Sequence, residues 1–189
     1  MKQIAVFLSG GGSNARNLVQ YFEGSEWARV AVLLTNAPNA QMTQFAQEHG
    51  IPQVVLSAAD CRDGALLIGL MAQYEVAYIA LAGYLKMIPP ALIAAFPAQI
   101  VNIHPSLLPN FGGKGMYGLR VHEAAIAAGA TVSGITIHLV NEIYDDGEIL
   151  FQDSLAIDPA WTAEELQRQV LVLEHRHYPQ VLERRIKED

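Results

Sequence analysis

Short apolar runs, each stopped by glycine, proline or a polar cluster, alternate along this chain with longer stretches whose apolar residues recur at helical spacing. The first run, residues 4–8, mixes Ile and Val with other apolar residues and halts at Ser9-Gly10-Gly11-Gly12, as a strand buried on both faces does. Ala15, Leu18, Val19 and Phe22 then mark one helical face, with Ser13 or Asn14 placed to cap it. Residues 30–34 read as a second strand, a helix runs through Phe45 and His49 to Gly50, and residues 54–56 make a third strand. Leu66, Leu67, Leu70, Met71 and Tyr74 form the next helical stripe, capped by Asp60 or Asp63, ahead of a strand at 76–81. Pro89 and Pro90 suit a helix start, where a missing N–H costs nothing, so residues 91–96 read as a short helix feeding a strand at 100–103.

Strands that alternate with helices pair in parallel, so the expected fold is α/β: a doubly wound, mostly parallel, Rossmann-like sheet. The last third changes character. Residues 121–128 are helical, residues 135–140 alternate Thr136 and His138 with apolar neighbours, and residues 149–155 are expected to pair with them antiparallel. Thr162 and Glu165 make a capping box for a closing helix whose expected buried stripe is Leu166, Val170, Leu173 and His177. The chain has 189 residues with no repeat, linker or low-complexity tract, so residues 1–189 are expected to form a single domain.

About half the residues are hydrophobic (51%) and only 16% are charged, which argues for a well-filled interior and against disorder. The net charge of −7 disfavours broad attraction to nucleic acid or to anionic lipid, so a small anionic substrate would need a local pocket. Cys61 is the only cysteine, which excludes an intrachain disulfide, a thiolate zinc cage and a paired-thiol redox site, and fits a reducing compartment. His175 and His177 lie two apart and point to different sides of a helix, so no metal is expected. The opening apolar run is too short for a signal-peptide core, and no segment reaches the roughly 20 apolar residues that cross a bilayer. A soluble, cytoplasmic protein is expected.

In a doubly wound sheet, ligands sit beyond the carboxyl ends of the strands. Ser9-Gly10-Gly11-Gly12-Ser13-Asn14 lies there, between the first strand and the first helix, where free N–H groups and the helix dipole favour a phosphate; a tight turn with a cap is the plainer alternative. The loop lacks the third glycine and the acidic ribose partner of a dinucleotide site, and neither it nor Gly112-Gly113-Lys114-Gly115 carries the Gly-Lys-Ser/Thr of a Walker loop. Asn102 and His104 stand at alternate positions at the end of a buried strand and therefore on one side of it, either as polar groups that fix the next loop or as a site. On their residues alone, Tyr144-Asp145-Asp146-Gly147 read as an acidic turn, and Glu174 as a solvated helix residue beside the buried stripe.

Asn102-Ile103-His104-Pro105-Ser106-Leu107-Leu108-Pro109 resembles the active site of the folate-dependent phosphoribosylglycinamide formyltransferase family. The likeness extends over essentially the whole chain: the early glycine loop, Leu81-Ala82-Gly83-Tyr84, the Asp-x-Gly turn at Asp145, and Glu174-His175 with Tyr178-Pro179. The resemblance implies formyl transfer from 10-formyltetrahydrofolate, as cosubstrate, to the amine of phosphoribosylglycinamide, a step of purine biosynthesis. It implies Asn102, His104 and Asp145 as catalytic residues, with Asp145 selected over Asp146 by the family register. It further implies substrate contacts from Gly12, Ser13, Asn14 and Glu174, and folate contacts from Leu85, Lys86, Met87, Ile88, Asn102 and Arg62. Lys86 stands where relatives often carry arginine, and a point charge replaces a planar fork. His138 is expected to support the catalytic group. Residues 110–118 depart from the shorter, more basic loop of relatives, with Lys114 as the one cation there. The expected partners are small molecules, with neither nucleic acid nor membrane, and the expected assembly is a monomer or homodimer.

Three other readings share parts of this pattern. A formyltetrahydrofolate hydrolase uses a similar trio with water as acceptor but carries an added amino-terminal regulatory domain. A methionyl-tRNA formyltransferase needs a further carboxyl-terminal domain and a basic surface. A non-catalytic folate- or phosphate-binding module could share the fold, because fold alone does not fix function.

Overall fold

The computed structural model describes residues 1–189. Seven strands, β1 (Lys2–Leu8), β2 (Ala28–Thr35), β3 (Gln53–Val55), β4 (Val76–Leu81), β5 (Ile100–His104), β6 (Val132–Leu139) and β7 (Ile149–Ala156), form one sheet in the order β3-β2-β1-β4-β5-β6-β7. Strands β1 to β5 are parallel, and β6 and β7 continue the sheet antiparallel. Six helices connect or cover them: α1 (Ser13–Phe22), α2 (Ala40–Glu48), α3 (Gly64–Gln73), α4 (Pro90–Ala95), α5 (Leu119–Ala127) and α6 (Ala163–Lys187). The doubly wound α/β expectation, with its antiparallel end and closing helix, describes this architecture.

Period two divides the core. Ile4, Val6 and Leu8 of β1 point into a cluster with Leu18 and Phe22 of α1 and Val170 and Tyr178 of α6, while Ala5 and Phe7 point into a second cluster with Leu67, Met71 and Leu92. The central strand β1 is thus covered on both faces, as a strand inside a parallel sheet requires.

Local chemistry departs from the sequence reading at the cap of α1 and chooses between its two alternatives at the cap of α3. Neither Ser13 nor Asn14 caps α1; the N-cap is Gly12, in the left-handed region at φ 75°, with no side-chain capping bond. A Cβ at Gly12 would press on Met42 and Leu8, so space as well as φ selects glycine. Asp63, rather than Asp60, caps α3 by accepting the Leu66 N–H at 3.0 Å; Asp60 instead accepts from Ser57 N–H. The capping box of α6 is present as expected.

The buried stripe of α6 also differs. Leu166, Val170, Glu174, Tyr178, Leu182 and Ile186 are buried, at every fourth position, whereas Leu173 and His177 are only partly buried. Each four-residue step overshoots a full turn by about 40°, so the stripe winds around the helix as it passes from one neighbour to the next. His177 finds a partner outside the core, with Nε2 2.8 Å from Asp153 of β7.

The chain leaves β1 toward β2 on one side and returns to β4 on the other, which opens a crevice between the loops that follow β1 and β4. Two bonds join those loops across the switch: Ser9 N–H donates to Gly83 O at 3.1 Å, and Leu85 N–H donates to Ser9 Oγ at 2.9 Å. No helix is long and apolar enough to cross a membrane.

Candidate active site

At the rim of the sheet, β5 and β6 place four polar side chains on one face, with Asn102 opposite His138 and His104 opposite Thr136. Hydrogen-bond logic fixes their orientation. His138 Nδ1 lies 2.8 Å from Leu139 O, and since a carbonyl only accepts, Nδ1 carries the hydrogen. The Nε2 of the neutral ring is therefore an acceptor, and Asn102 Nδ2 donates to it at 3.0 Å. That bond decides which way the Asn102 amide faces.

The same reasoning applies to His104, which is buried. Its Nε2 donates to Phe111 O at 2.9 Å, leaving Nδ1 to face Asp145 Oδ2 at 3.5 Å. Burial pushes the His104 imidazole below its ordinary pKa, and the Asp145 carboxylate and the Phe111 carbonyl only partly offset this. The ring is accordingly neutral near pH 7, with Asp145 beside the atom that would take a proton.

Asp145 lies in the turn between β6 and β7 with φ 55°, a left-handed conformation that a non-glycine residue adopts only where its surroundings enforce it. Gly147, two residues on, permits the turn, because a Cβ there would collide with Leu139 O. Burial would raise the Asp145 carboxyl, but His138, His104 and the Gly113 N–H, donated to Oδ2 at 2.8 Å, together hold it below the usual carboxylate range. His138 Nε2 is 3.7 Å from Asp145 Oδ1, too far for a hydrogen bond, and already accepts from Asn102, so it favours the carboxylate only when the ring carries a second proton. Asp146 is exposed and meets only Asn141, so Asp145 is the carboxylate that reaches the imidazole.

A cleft of about 630 Å³ joins this group to the start of α1 and the middle of α6. Asn14 Nδ2 donates to Glu174 Oε2, and both residues are buried. Burial pushes the Glu174 carboxyl up to about 7 against the opposing Asn14 bond, so the side chain read from pattern as solvated is a buried acid. Asn14 Oδ1 has no partner. Ser13, Leu85, Lys86, Met87 and Ile88 also line the cleft; Gly12 and Arg62 do not, and Arg62 is exposed on a 3₁₀ turn.

Sequence reasoning missed His122, Arg120, Gln167 and Arg168 of the lining. His122 is buried, and its imidazole is depressed to about 4 by burial and then by His104. It sits among Val121, Ala124 and Ala125 on α5, where no spacing distinguishes it from a core residue.

The family model described as formyl transferase matches residues 2–182. The chain belongs to the formyl transferase family. Over 196 aligned residues this formyl transferase is 45% identical to the chloroplastic phosphoribosylglycinamide formyltransferase of Arabidopsis thaliana, covering 98% of this chain and 67% of that protein. It is 37% identical to the phosphoribosylglycinamide formyltransferase of Bacillus subtilis, covering 96% of this chain and 93% of that protein. The crystal structure of glycinamide ribonucleotide transformylase 1 from Symbiobacterium toebii superposes with a TM-score of 0.90 at 32% identity, covering all of this chain and 89% of that one. In a formyl transferase, an amide, a neutral imidazole and a carboxylate around one cleft supply what acyl transfer to an amine needs: donors for a developing oxyanion and a route for one proton.

Proposed function

We propose that this formyl transferase moves the formyl group of 10-formyltetrahydrofolate to the amine of phosphoribosylglycinamide, giving phosphoribosyl-N-formylglycinamide and tetrahydrofolate. The observation that carries the reading is the approach of His104 Nδ1 to Asp145 Oδ2 at 3.5 Å beside Asn102, three groups far apart in sequence that share one cleft with Asn14 and Glu174.

The amine nitrogen attacks the formyl carbon, a C–N bond forms, and the carbonyl oxygen becomes an oxyanion. The Asn102 amide hydrogen not engaged by His138 stabilises that oxygen. The attacking amine loses a proton, which Asp145 relays through water to His104 Nδ1. Nδ1 gives it to the folate nitrogen as the old C–N bond breaks, so the proton lost by the acceptor leaves with tetrahydrofolate. Burial keeps the resting His104 ring neutral, and charge arrives only with the transferred proton. Backbone N–H groups after Gly12, with Ser13 and Asn14, hold the substrate phosphate and glycinamide, and Glu174 holds the ribose. Leu85, Lys86, Met87 and Ile88 supply the wall against the folate, which enters as cosubstrate.

Purified protein given 10-formyltetrahydrofolate is expected to release tetrahydrofolate only when phosphoribosylglycinamide is present. Release without the amine would assign the chain to hydrolysis. No release by folded protein that still binds folate would leave a binding module.

A further inference from the structure

His104 and His138 are both oriented by main-chain carbonyls, but the two carbonyls differ in kind. Leu139 O belongs to the residue next to His138 on β6, whereas Phe111 O belongs to the loop between β5 and α5 that holds Gly112, Gly113, Gly115 and Gly118. The same loop supplies the Gly113 N–H to Asp145 at 2.8 Å. One short backbone segment therefore grips both the imidazole and the carboxylate.

The segment is seated closely. Phe111 has φ 54°, a left-handed conformation for a non-glycine residue, and its side chain packs on the core. A Cβ at Gly112 would strike the tip of the Leu108 side chain and lie against Asp145, so any other residue there would require Leu108 to shift. Ser106 Oγ donates to Asn110 O at 2.6 Å, and Asn110 N–H donates to Leu107 O at 3.0 Å, which pins the approach to Phe111.

We propose that Phe111 is a positioning residue for the transfer reaction: its carbonyl, held in place by the left-handed backbone, keeps His104 in the Nε2–H tautomer and so presents the Nδ1 lone pair to Asp145 and the cleft. This rests on the role assigned to His104 above. With the carbonyl turned away, the hydrogen is free to move to Nδ1, and the lone pair that should accept the travelling proton is lost. The Phe111 carbonyl also stabilises the doubly protonated ring, so its loss lowers the pH at which His104 titrates. The charged or titratable groups around that ring are Asp145 from the β6–β7 turn, His138 from β6 and His122 from α5.

Phe111→Pro and Phe111→Gly separate the carbonyl from the side chain. Proline locks φ near −65° and cannot place the carbonyl, whereas glycine reaches positive φ freely and loses only the packing. Imidazole ¹⁵N spectra of the whole protein are expected to show His104 with its hydrogen on Nε2 in the parent and in Phe111→Gly, and a mixture of tautomers in Phe111→Pro. Turnover in Phe111→Pro is expected to fall about 100-fold, the lower end of what one positioned acid–base group contributes, with KM for both substrates little changed. Its acid limb, where protonation of the resting ring removes the accepting lone pair, moves to lower pH, a change that a merely structural role does not produce. A parent His104 protonated on Nδ1 overturns the proposal, as does a Phe111→Pro protein with parental tautomer and pH midpoint, or a Phe111→Gly protein altered as much as Phe111→Pro. If Phe111→Pro does not fold, the parent and glycine spectra still decide. If the parent transfers no formyl group, the functional reading fails while the tautomer spectra judge the orienting contact separately.

Discussion

The two ends of the cleft are finished to different degrees. At the β5–β6 end, His104, His138 and Asp145 each have a backbone partner in Phe111 O, Leu139 O and Gly113 N–H. At the α1–α6 end, Asn14 Oδ1 is buried without a partner and Glu174 is a buried acid raised to about 7. An unmet buried polar atom costs about 1–3 kcal/mol, a cost that persists where a ligand will meet it. Under the proposed function the first end is preorganised for the chemical step, and the second keeps hydrogen-bonding capacity for the polar substrate. Substitutions at the first should therefore lower kcat, and those at the second should raise KM.

The sharpest break is His104→Ala. Turnover is expected to drop by about 10²- to 10⁴-fold, with circular dichroism and folate binding retained. An unchanged kcat would remove the imidazole from the mechanism.

Asp145→Asn should follow with a loss of about 10²-fold in kcat. It also carries a sign: the Asp145 charge favours the His104 imidazolium, so its removal lowers the His104 midpoint further, and ¹⁵N titration should find it at more acid pH than in the parent. A midpoint that rises would show that Asp145 does not face the ring as described.

Glu174→Gln tests the other end, with an expected increase of about tenfold in KM for phosphoribosylglycinamide and little change in kcat, a loss of about 1.4 kcal/mol in binding. Stability supplies a second readout. The folded-state value of Glu174 lies above its ordinary 4.5, so its stabilising contribution is full below about pH 4.5 and is lost as pH rises through about 7. Relative to the parent, Glu174→Gln should therefore gain stability, on the order of 3 kcal/mol, between pH 4 and pH 8 in denaturant titrations. Equal pH dependence in the two proteins would place Glu174 in water.

The smallest effect belongs to Arg62→Ala. The side chain is exposed and outside the cleft, so folate KM should stay within about twofold, as for ordinary surface substitutions. A tenfold rise would mean that the folate's acidic tail extends past Ile88 onto the 3₁₀ turn.

The framework was legible because hydrophobic period and glycine punctuation carry it. The strand at 76–81 is β4 to the residue, and the antiparallel ending at β6 and β7 followed from alternation at Thr136 and His138. What resisted reading was set by tertiary contacts. Glu174 looks like a surface acid until the winding stripe of α6 buries it, and Asp145 was distinguishable from Asp146 only through family register until the left-handed turn aimed it inward. The Phe111 carbonyl and the Gly113 N–H belong to the main chain, which every residue has, so no pattern of side chains could announce them.

Tyr178 of α6, fully buried, shares its single hydroxyl hydrogen between Leu81 O at 3.0 Å, at the end of β4, and Val101 O at 2.9 Å, near the start of β5. The same helix contributes Glu174 and Gln167 to the cleft. During synthesis the imidazole strand emerges more than fifty residues before this clasp, so the ribosome releases the chemistry first and its enclosure last. The cleft acquires its full lining only when α6 docks.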